Sequence, residues 1–194
     1  MEKLEMNDIL DLREYERIRE TYRDEIITIK KFRRIHVGEI ITVLFENRET
    51  VKFQIQEMAR AEKIISDEGI EEELSSYNSL IPDAGHLKAT LFIELVTDDE
   101  VREWLPKLVG IEKSIYLLVG DNKFYSKPEK SHEDMLTRQD VTASVHYIDF
   151  DLSSLDLDNF KMLTLSLGID HEALKAETLL RDETRSELLR DLSV

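Results

Sequence analysis

The hydrophobic positions near the start of the chain recur with the period of an α-helix. Residues 11–34 carry apolar or aromatic side chains at spacings of three and four, namely Tyr15, Ile18, Tyr22, Ile26 and Ile29. This spacing places them on one helical face. Acidic residues are concentrated in the first half of the segment and basic residues at its end, which suits the helix dipole. We therefore predict an N-terminal helix over residues 11–34.

Other segments have the alternation or the β-branched content of strands. The run EIITVLFE after Gly38 predicts a buried strand. In HLKATLFIEL every second residue from Leu87 is apolar, which predicts a strand with one face toward the core. SIYLLVGDNKFYS predicts a hairpin with a tight Gly-Asp-Asn turn, and VTASVHYIDFDL predicts a further long strand.

Between the strands, the periodicity predicts a helix around QIQEM, a second one ending before Pro82, and others over residues 98–109, 153–166 and 182–192. GIDHEAL has no clear pattern and is predicted to be irregular, and the polar residues 128–139 are predicted to form an exposed loop. Because strands and helices do not alternate regularly, we predict an α+β fold with a mainly antiparallel sheet packed with several helices. A parallel doubly wound fold is the alternative, and neither of its glycine-rich phosphate-binding motifs is present.

Composition limits the classes of function. A chain of 194 residues with 41% hydrophobic content is expected to form a single compact domain over residues 1–194. Its 42 acidic and 26 basic residues give a net charge of -16, which disfavours nucleic acid or an anionic membrane as a partner. The charged N-terminal segment has no secretory signal pattern, so we expect a soluble, cytoplasmic protein. Since cysteine is absent, any bound metal requires histidine and carboxylate ligands.

Three charged residues are predicted to point inward. On the QIQEM helix, Glu62 falls within ~20° of the centre of the apolar stripe, and on the first helix Arg19 and Arg33 fall within ~40° of Tyr15. A buried carboxylate costs several kcal/mol unless it is paired. An ion pair of Glu62 with Arg19 or Arg33 is therefore one interpretation.

A binding pocket between these helices is the alternative interpretation. Gln54 and Glu57 flank the same stripe, so the helix would present both, together with Glu62, around a small anion or a metal. Arg60 lies on this helix as well and would join Arg19 and Arg33 in a sensor of small anions.

A metal site is a separate hypothesis. His146 lies on a partly apolar strand face, and His171 lies beside two carboxylates in GIDHEAL. With Glu94 from a neighbouring strand, the two imidazoles would form a nitrogen-and-oxygen ligand set suited to iron, manganese or zinc.

Several segments together resemble a known family. These are EYERIR, FENRETVKFQIQEMARAEKI, EEELSSYNSLIPD, LKATLFIE, LVGIE, ASVHYIDF and GIDHEAL. They are similar to a family of bacterial and archaeal proteins catalogued as a domain of unknown function, over nearly the whole chain. In that family the genes often lie near those for rubrerythrin-like proteins and an iron-sulfur oxidoreductase subunit. The resemblance implies a link to peroxide defence or electron transfer, and it assigns no catalytic residue.

Two main functions follow as hypotheses. The first is an accessory protein that docks on a rubrerythrin-like or iron-sulfur redox partner, since complementary charge speeds encounter. The alternative is a small metal-binding protein or metal-dependent enzyme that uses histidine and carboxylate ligands. The usual nucleophile motifs are missing, so the sequence leaves enzymatic activity open.

Overall fold

The computed structural model describes residues 1–129 and 140–193. The described helices are α1 (Leu12–Lys30), α2 (Arg48–Glu62), α3 (Asp67–Tyr77), α4 (Asp98–Lys107), α5 (Leu157–Met162) and α6 (Asp182–Leu192). The strands are β1 (Arg34–Val37), β2 (Ile41–Phe45), β3 (His86–Ile93), β4 (Ile115–Val119), β5 (Asn122–Tyr125), β6 (Lys127–Pro128), β7 (Val145–Asp151), β8 (Leu165–His171) and β9 (Leu174–Leu179). No helix within the described ranges is long and apolar enough to cross a membrane.

The strands form two antiparallel sheets that share one hydrophobic core. The first sheet has the order β1-β2-β3-β7-β6, and the second has the order β5-β4-β8-β9. Pairs such as Val43 with Leu91 and Ala89 with Ile148 lie opposite each other in the first sheet. They are buried in the same cluster as Leu117 of β4. The period-2 alternation of β3 and β7 therefore directs one face of the first sheet toward the second sheet.

The other face of the first sheet is covered by helices. The buried residues Val51 and Ile55 of α2 form a second cluster with Leu74 of α3 and with the N-terminal segment, and Tyr147 of β7 packs against it. Side-chain caps fix the starts of the helices, since Asn47 accepts a hydrogen bond from the backbone of Thr50 at the start of α2. The fold thus has a helical layer, a five-stranded sheet and a four-stranded sheet.

The predicted fold class is confirmed, because the chain is a single-domain α+β protein with antiparallel sheets. The hairpin at SIYLLVGDNKFYS is also confirmed, with β4 paired to β5. The sequence did not indicate that the strands divide into two sheets. The pattern within a strand shows which residues share a face, but it does not show which strands are neighbours.

The N-terminal helix is shorter than predicted. It ends at Lys30, and β1 begins at Arg34 and pairs with β2. The helical prediction extended too far because Arg33 follows Ile29 by four residues. In β1 itself, Ile35 and Val37 are buried while Arg34 and His36 are exposed, which is the two-residue period of a strand.

Three other predicted segments differ from the structure. GIDHEAL is not irregular, because it forms the turn of the β8–β9 hairpin. The alternation is absent from β8 since it is a central strand with both faces buried. The helix predicted over residues 153–166 is reduced to α5. Of the loop predicted over residues 128–139, Pro128 belongs to β6 and pairs with Ile148, and residues 130–139 lie outside the described residues.

Candidate functional site

The helices α1 and α2 are joined by a carboxylate with three hydrogen-bond donors. Glu57 of α2 accepts two hydrogen bonds from Arg19 of α1, from Nε to Oε1 and from Nη2 to Oε2, both at 2.7 Å. The hydroxyl of Tyr15 donates a third to Oε1, also at 2.7 Å. One turn further along α2, Arg60 donates to Glu16 at 2.6 Å. The predicted inward direction of Arg19 is correct, and its partner is Glu57.

These contacts shift the pKa values of the groups involved. The guanidinium of Arg19 lowers the pKa of Glu57 to about 2, against a smaller opposing effect of burial. Burial raises the pKa of Tyr15, and the hydrogen bond to the Glu57 carboxylate raises it further. All three groups therefore keep fixed charge states near neutral pH. The cluster stabilises the packing of α1 on α2, and both carboxylate oxygens of Glu57 are engaged by donors of the protein itself.

The prediction that Glu62 is buried is wrong. Glu62 is exposed and is the last residue of α2, and Ile65, which was assigned to the same stripe, is 86% exposed. The buried residues Val51, Ile55 and Ala59 confirm the direction of the stripe. A helical wheel gives the direction of a side chain but does not show whether another element covers it. The last turn of α2 extends past the elements that cover the earlier turns. Glu62 therefore lines no pocket between the helices among the described residues.

Arg33 is inward as predicted, but its partners are in α6. The side chain is 1% exposed, and it donates to Asp191 through Nη1 at 2.6 Å and through Nη2 at 2.9 Å. Nη2 also donates to Glu187 at 3.0 Å. Asp191 was not identified from the sequence, although Thr184, Leu188 and Asp191 are spaced as one helical face. A helical wheel drawn for α6 would have placed Asp191 on its buried face.

The two glutamines of QIQEM have structural partners. The amide of Gln54 lies 3.5 Å from the hydroxyl of Tyr147, at the surface between α2 and the first sheet. Gln56 is fully buried, and its amide both accepts from the backbone N–H and donates to the carbonyl of Leu10, at 2.8 and 3.2 Å. Gln56 thereby fixes the segment that precedes α1. The most specific part of the sequence resemblance thus includes a structural contact with the N-terminal segment.

The predicted metal ligands do not come together. Leu91 lies directly opposite His146, so His146 faces the core between the sheets. Glu94 follows Leu91 by three positions, so by the alternation of a strand its side chain belongs to the opposite face of the sheet. Its carboxylate binds Arg34 at 2.7 Å and Thr42 at 2.8 Å. The structure therefore contradicts the assignment of Glu94 to a site with His146.

Both histidines of the predicted metal site make protein hydrogen bonds. Nε2 of His146 lies 2.8 Å from the Thr142 hydroxyl and 2.9 Å from the Ala143 carbonyl. In His171, Nδ1 accepts from the backbone N–H of Ala173, so the Nε2 proton is donated to the Val109 carbonyl. Within residues 1–129 and 140–193, no three histidine or acidic side chains are grouped in a way that could hold a metal ion.

Besides Asp191, the sequence analysis missed two buried carboxylates, Glu46 and Glu112. Glu46 lies between β2 and α2 and accepts hydrogen bonds from the hydroxyls of Thr50 and Thr90, both at 2.5 Å. Glu112 is buried near His146, and its Oε2 has no hydrogen-bond partner among the described residues. Burial lowers the pKa of His146, and the charge of Glu112 partly offsets this effect. Glu46 gave a sequence signal as the charged end of an otherwise apolar strand.

One exposed helix face carries several acidic residues close together. Within α3, Glu68, Glu71 and Glu72 lie on one side of the helix and are exposed, as is Asp67. No lysine or arginine of the described chain forms an ion pair with them. Burial raises the pKa of the adjacent Glu73, and the neighbouring carboxylates of Glu62 and Glu72 raise it further. We call these exposed acids, Asp67, Glu68, Glu71 and Glu72, the α3 acidic face.

Fold and contacts together define a two-sheet α+β protein in which buried and partly buried ion pairs join the helices to the rest of the fold. The chain belongs to the family described as "Protein of unknown function (DUF3501)", whose model matches residues 3–192. Its structure is similar to the crystal structure of a "novel protein of unknown function" from Burkholderia pseudomallei K96243. The two share 33% sequence identity and a TM-score of 0.90, over 98% of this chain and 100% of that one. A search of curated proteins finds no match.

Proposed function

We propose that this protein is a non-catalytic accessory protein that docks through the α3 acidic face on a basic surface of a redox partner. The observation that supports the proposal best is the absence of ion pairs on this face within the described chain, although its four carboxylates are exposed on a single helix. Unpaired charges of one sign accelerate and orient encounter with a surface of the opposite sign.

The arrangement of the remaining polar residues also supports a binding role. The pairs Arg19–Glu57 and Arg33–Asp191 hold helices in place, and their charges are neutralised within the protein. By contrast, α3 contains no lysine or arginine in Asp67–Tyr77. The face therefore keeps its full negative potential, and a partner with lysines or arginines would neutralise it.

The kind of partner comes from the family resemblance. A rubrerythrin-like protein or a cysteine-rich iron-sulfur protein is the expected class, since genes for such proteins often lie near those of the family. Association of redox proteins is commonly weak and transient, with interfaces smaller than about 1,200 Å².

Binding of the purified protein to a rubrerythrin-like or iron-sulfur protein from the same genome tests the proposal. We expect an affinity that falls as salt is raised, and that falls by about tenfold or more in the double variant Glu68→Lys, Glu72→Lys. The matched control is Asp99→Lys, Glu103→Lys on α4, which changes the net charge equally. If both double variants bind alike, the α3 acidic face is not the docking surface, and if neither class of protein binds, the redox assignment is wrong.

A further inference from the structure

A groove lined by basic residues, in contrast to the α3 acidic face, lies between the end of α1, strand β1 and the turn from β9 to α6. It has a volume of ≈ 760 Å³, and Lys30, Arg34, Leu179, Arg181 and Thr184 are among the residues that line it. We propose that this groove is a binding site for a small amphipathic anion, a phosphate monoester or carboxylate with an apolar body. We call it the α6 groove.

The charge of the α6 groove is opposite to that of the protein. Its lining contains Lys30, Lys31, Arg34 and Arg181 and no aspartate or glutamate, although the chain as a whole carries a net charge of -16. Arg34 is paired with Glu94, whereas the other three cations have no ion-pair partner within residues 1–129 and 140–193. The ammonium groups of Lys30 and Lys31 lie over the rings of Phe53 and Phe32, at 5.3 and 5.6 Å from the ring centroids, and these contacts leave their positive charges without a carboxylate. Positive charges without carboxylate partners around one concave site attract an anion.

The start of α6 provides a place for the anionic group. Its N-cap residue Arg181 makes no side-chain cap hydrogen bond in the described structure, so the backbone N–H groups of the first turn have no such partner. The same turn carries the exposed acids Asp182 and Glu183, and neither of them lines the groove. The side chain of Thr184, in this turn, is 2% exposed and lines the groove. Its hydroxyl makes no hydrogen bond with any described residue. A buried hydroxyl and free helix N–H groups are the donors that bind phosphate or carboxylate oxygens.

The groove also has an open apolar part. Ile27 of α1 is 54% exposed and Leu179 of β9 is 67% exposed, and the less exposed Ile35 and Leu180 line the groove with them. The groove volume lies within the range of about 300–1,000 Å³ that is typical of small-molecule sites. An apolar chain or ring attached to the anionic group would cover these side chains, so the site favours an amphipathic ligand over a bare ion.

The groove is held in place by contacts beneath it. Thr184, Leu188 and Asp191 lie on the buried face of α6, and Asp191 is fixed by its two hydrogen bonds to Arg33. Arg33 directly precedes Arg34, which lines the groove. Because both walls are joined by this ion pair, little reorganisation is required when a ligand binds.

Calorimetric titration of the intact protein with four probes tests the proposal. The probes are octyl phosphate and octanoate, each below its micellar concentration, with octanol and inorganic phosphate as references. We expect saturable one-site binding of octyl phosphate, octanoate or both, and the tighter of the two identifies the anionic group. Equal binding of octanol would exclude the anionic requirement, equal binding of inorganic phosphate would exclude the apolar one, and no saturable binding of either amphiphile would overturn the site.

Substitutions locate the binding. Thr184→Val removes the hydroxyl at nearly constant volume, and we expect it to weaken the amphiphile about tenfold. The double variant Lys30→Glu, Arg181→Glu is expected to abolish detectable binding. Its matched control is Arg102→Glu, Lys161→Glu, which changes the charge equally away from the groove. Circular dichroism confirms that each variant is folded, and an equal loss of affinity in the control would show that general charge, not the α6 groove, binds the probe.

Discussion

Arg19 and Glu57 form a bidentate ion pair that joins α1 to α2, with both N–O distances at 2.7 Å. Parallel hydrogen bonds of this kind fix orientation as well as distance, because a guanidinium and a carboxylate are both planar. Tyr15, which is fully buried, adds a third donor to the same carboxylate. Glu57 therefore fixes the orientation of the first helix on the second through two of its residues, Arg19 and Tyr15.

Glu57→Gln is expected to lower the free energy of unfolding by about 1–3 kcal/mol, because the amide cannot accept from Arg19 at both of its terminal atoms. Glu62→Gln on the same helix is the matched control and is expected to change it by less than about 0.5 kcal/mol, since Glu62 is exposed. Urea denaturation measures both. Equal effects of the two substitutions would contradict the assignment of Glu57 as the joining residue.

Acid is expected to weaken the same contact. The pKa of Glu57 is about 2 in the folded protein and lower than in the unfolded chain, so its contribution is complete above the unfolded pKa of 4.5. As the pH falls from 4.5 toward 2, the unfolded chain takes up a proton that the native protein does not, and this contribution is lost. Urea denaturation at several pH values should therefore give a steeper loss of stability for the native sequence than for Glu57→Gln. Parallel curves would contradict this.

Removing one partner of the buried Arg33–Asp191 pair is expected to lower the free energy of unfolding more than removing both partners. Asp191→Leu leaves the Arg33 guanidinium buried without its main carboxylate, which costs about 3–5 kcal/mol. In the double variant Arg33→Met, Asp191→Leu no buried charge remains, so we expect much of this loss to be recovered. Arg190→Ala, which removes an exposed partner of Glu187, is the control and is expected to cost less than about 1 kcal/mol. Chemical denaturation of the native protein, these three variants and the single variant Arg33→Met measures the coupling, and additive losses in the double variant would exclude it.

The pKa of His146 is expected to lie below 6.5, the ordinary value of a histidine side chain, because burial lowers it. Below pH 6.5 the unfolded chain binds a proton at this position that the native protein excludes, so stability falls as the pH is lowered. NMR titration of the histidine ring protons gives the pKa directly, and His146→Gln assigns the resonance. A pKa for His146 at or above 6.5 would contradict its buried, neutral state.

Helical periodicity predicted which way side chains point, but it did not predict which residues they contact. It correctly placed Arg19 and Arg33 on the inner face of the first segment. It could not show that Arg33 lies beyond the last turn of α1, nor that its carboxylate comes from a helix 158 residues away. Contacts at such a separation depend on the tertiary fold, which a local pattern does not contain.

The error about Glu62 and the error about the metal ligands have different causes. For Glu62 the direction was correct, but the covering elements do not reach the end of α2. For His146 and Glu94, each strand was identified correctly, but the register between β3 and β7 was not known. In that register His146 is opposite Leu91, and a change of one residue would place its side chain on the other face.

The long separation between Arg33 and Asp191 also affects how the protein is made. At about 5–20 residues per second, synthesis of the intervening 158 residues takes roughly 8 to 30 seconds. During that interval the guanidinium has no carboxylate from α6, so burying it would cost several kcal/mol. We therefore expect Arg33 to stay hydrated on the nascent chain until α6 is available to pair with it.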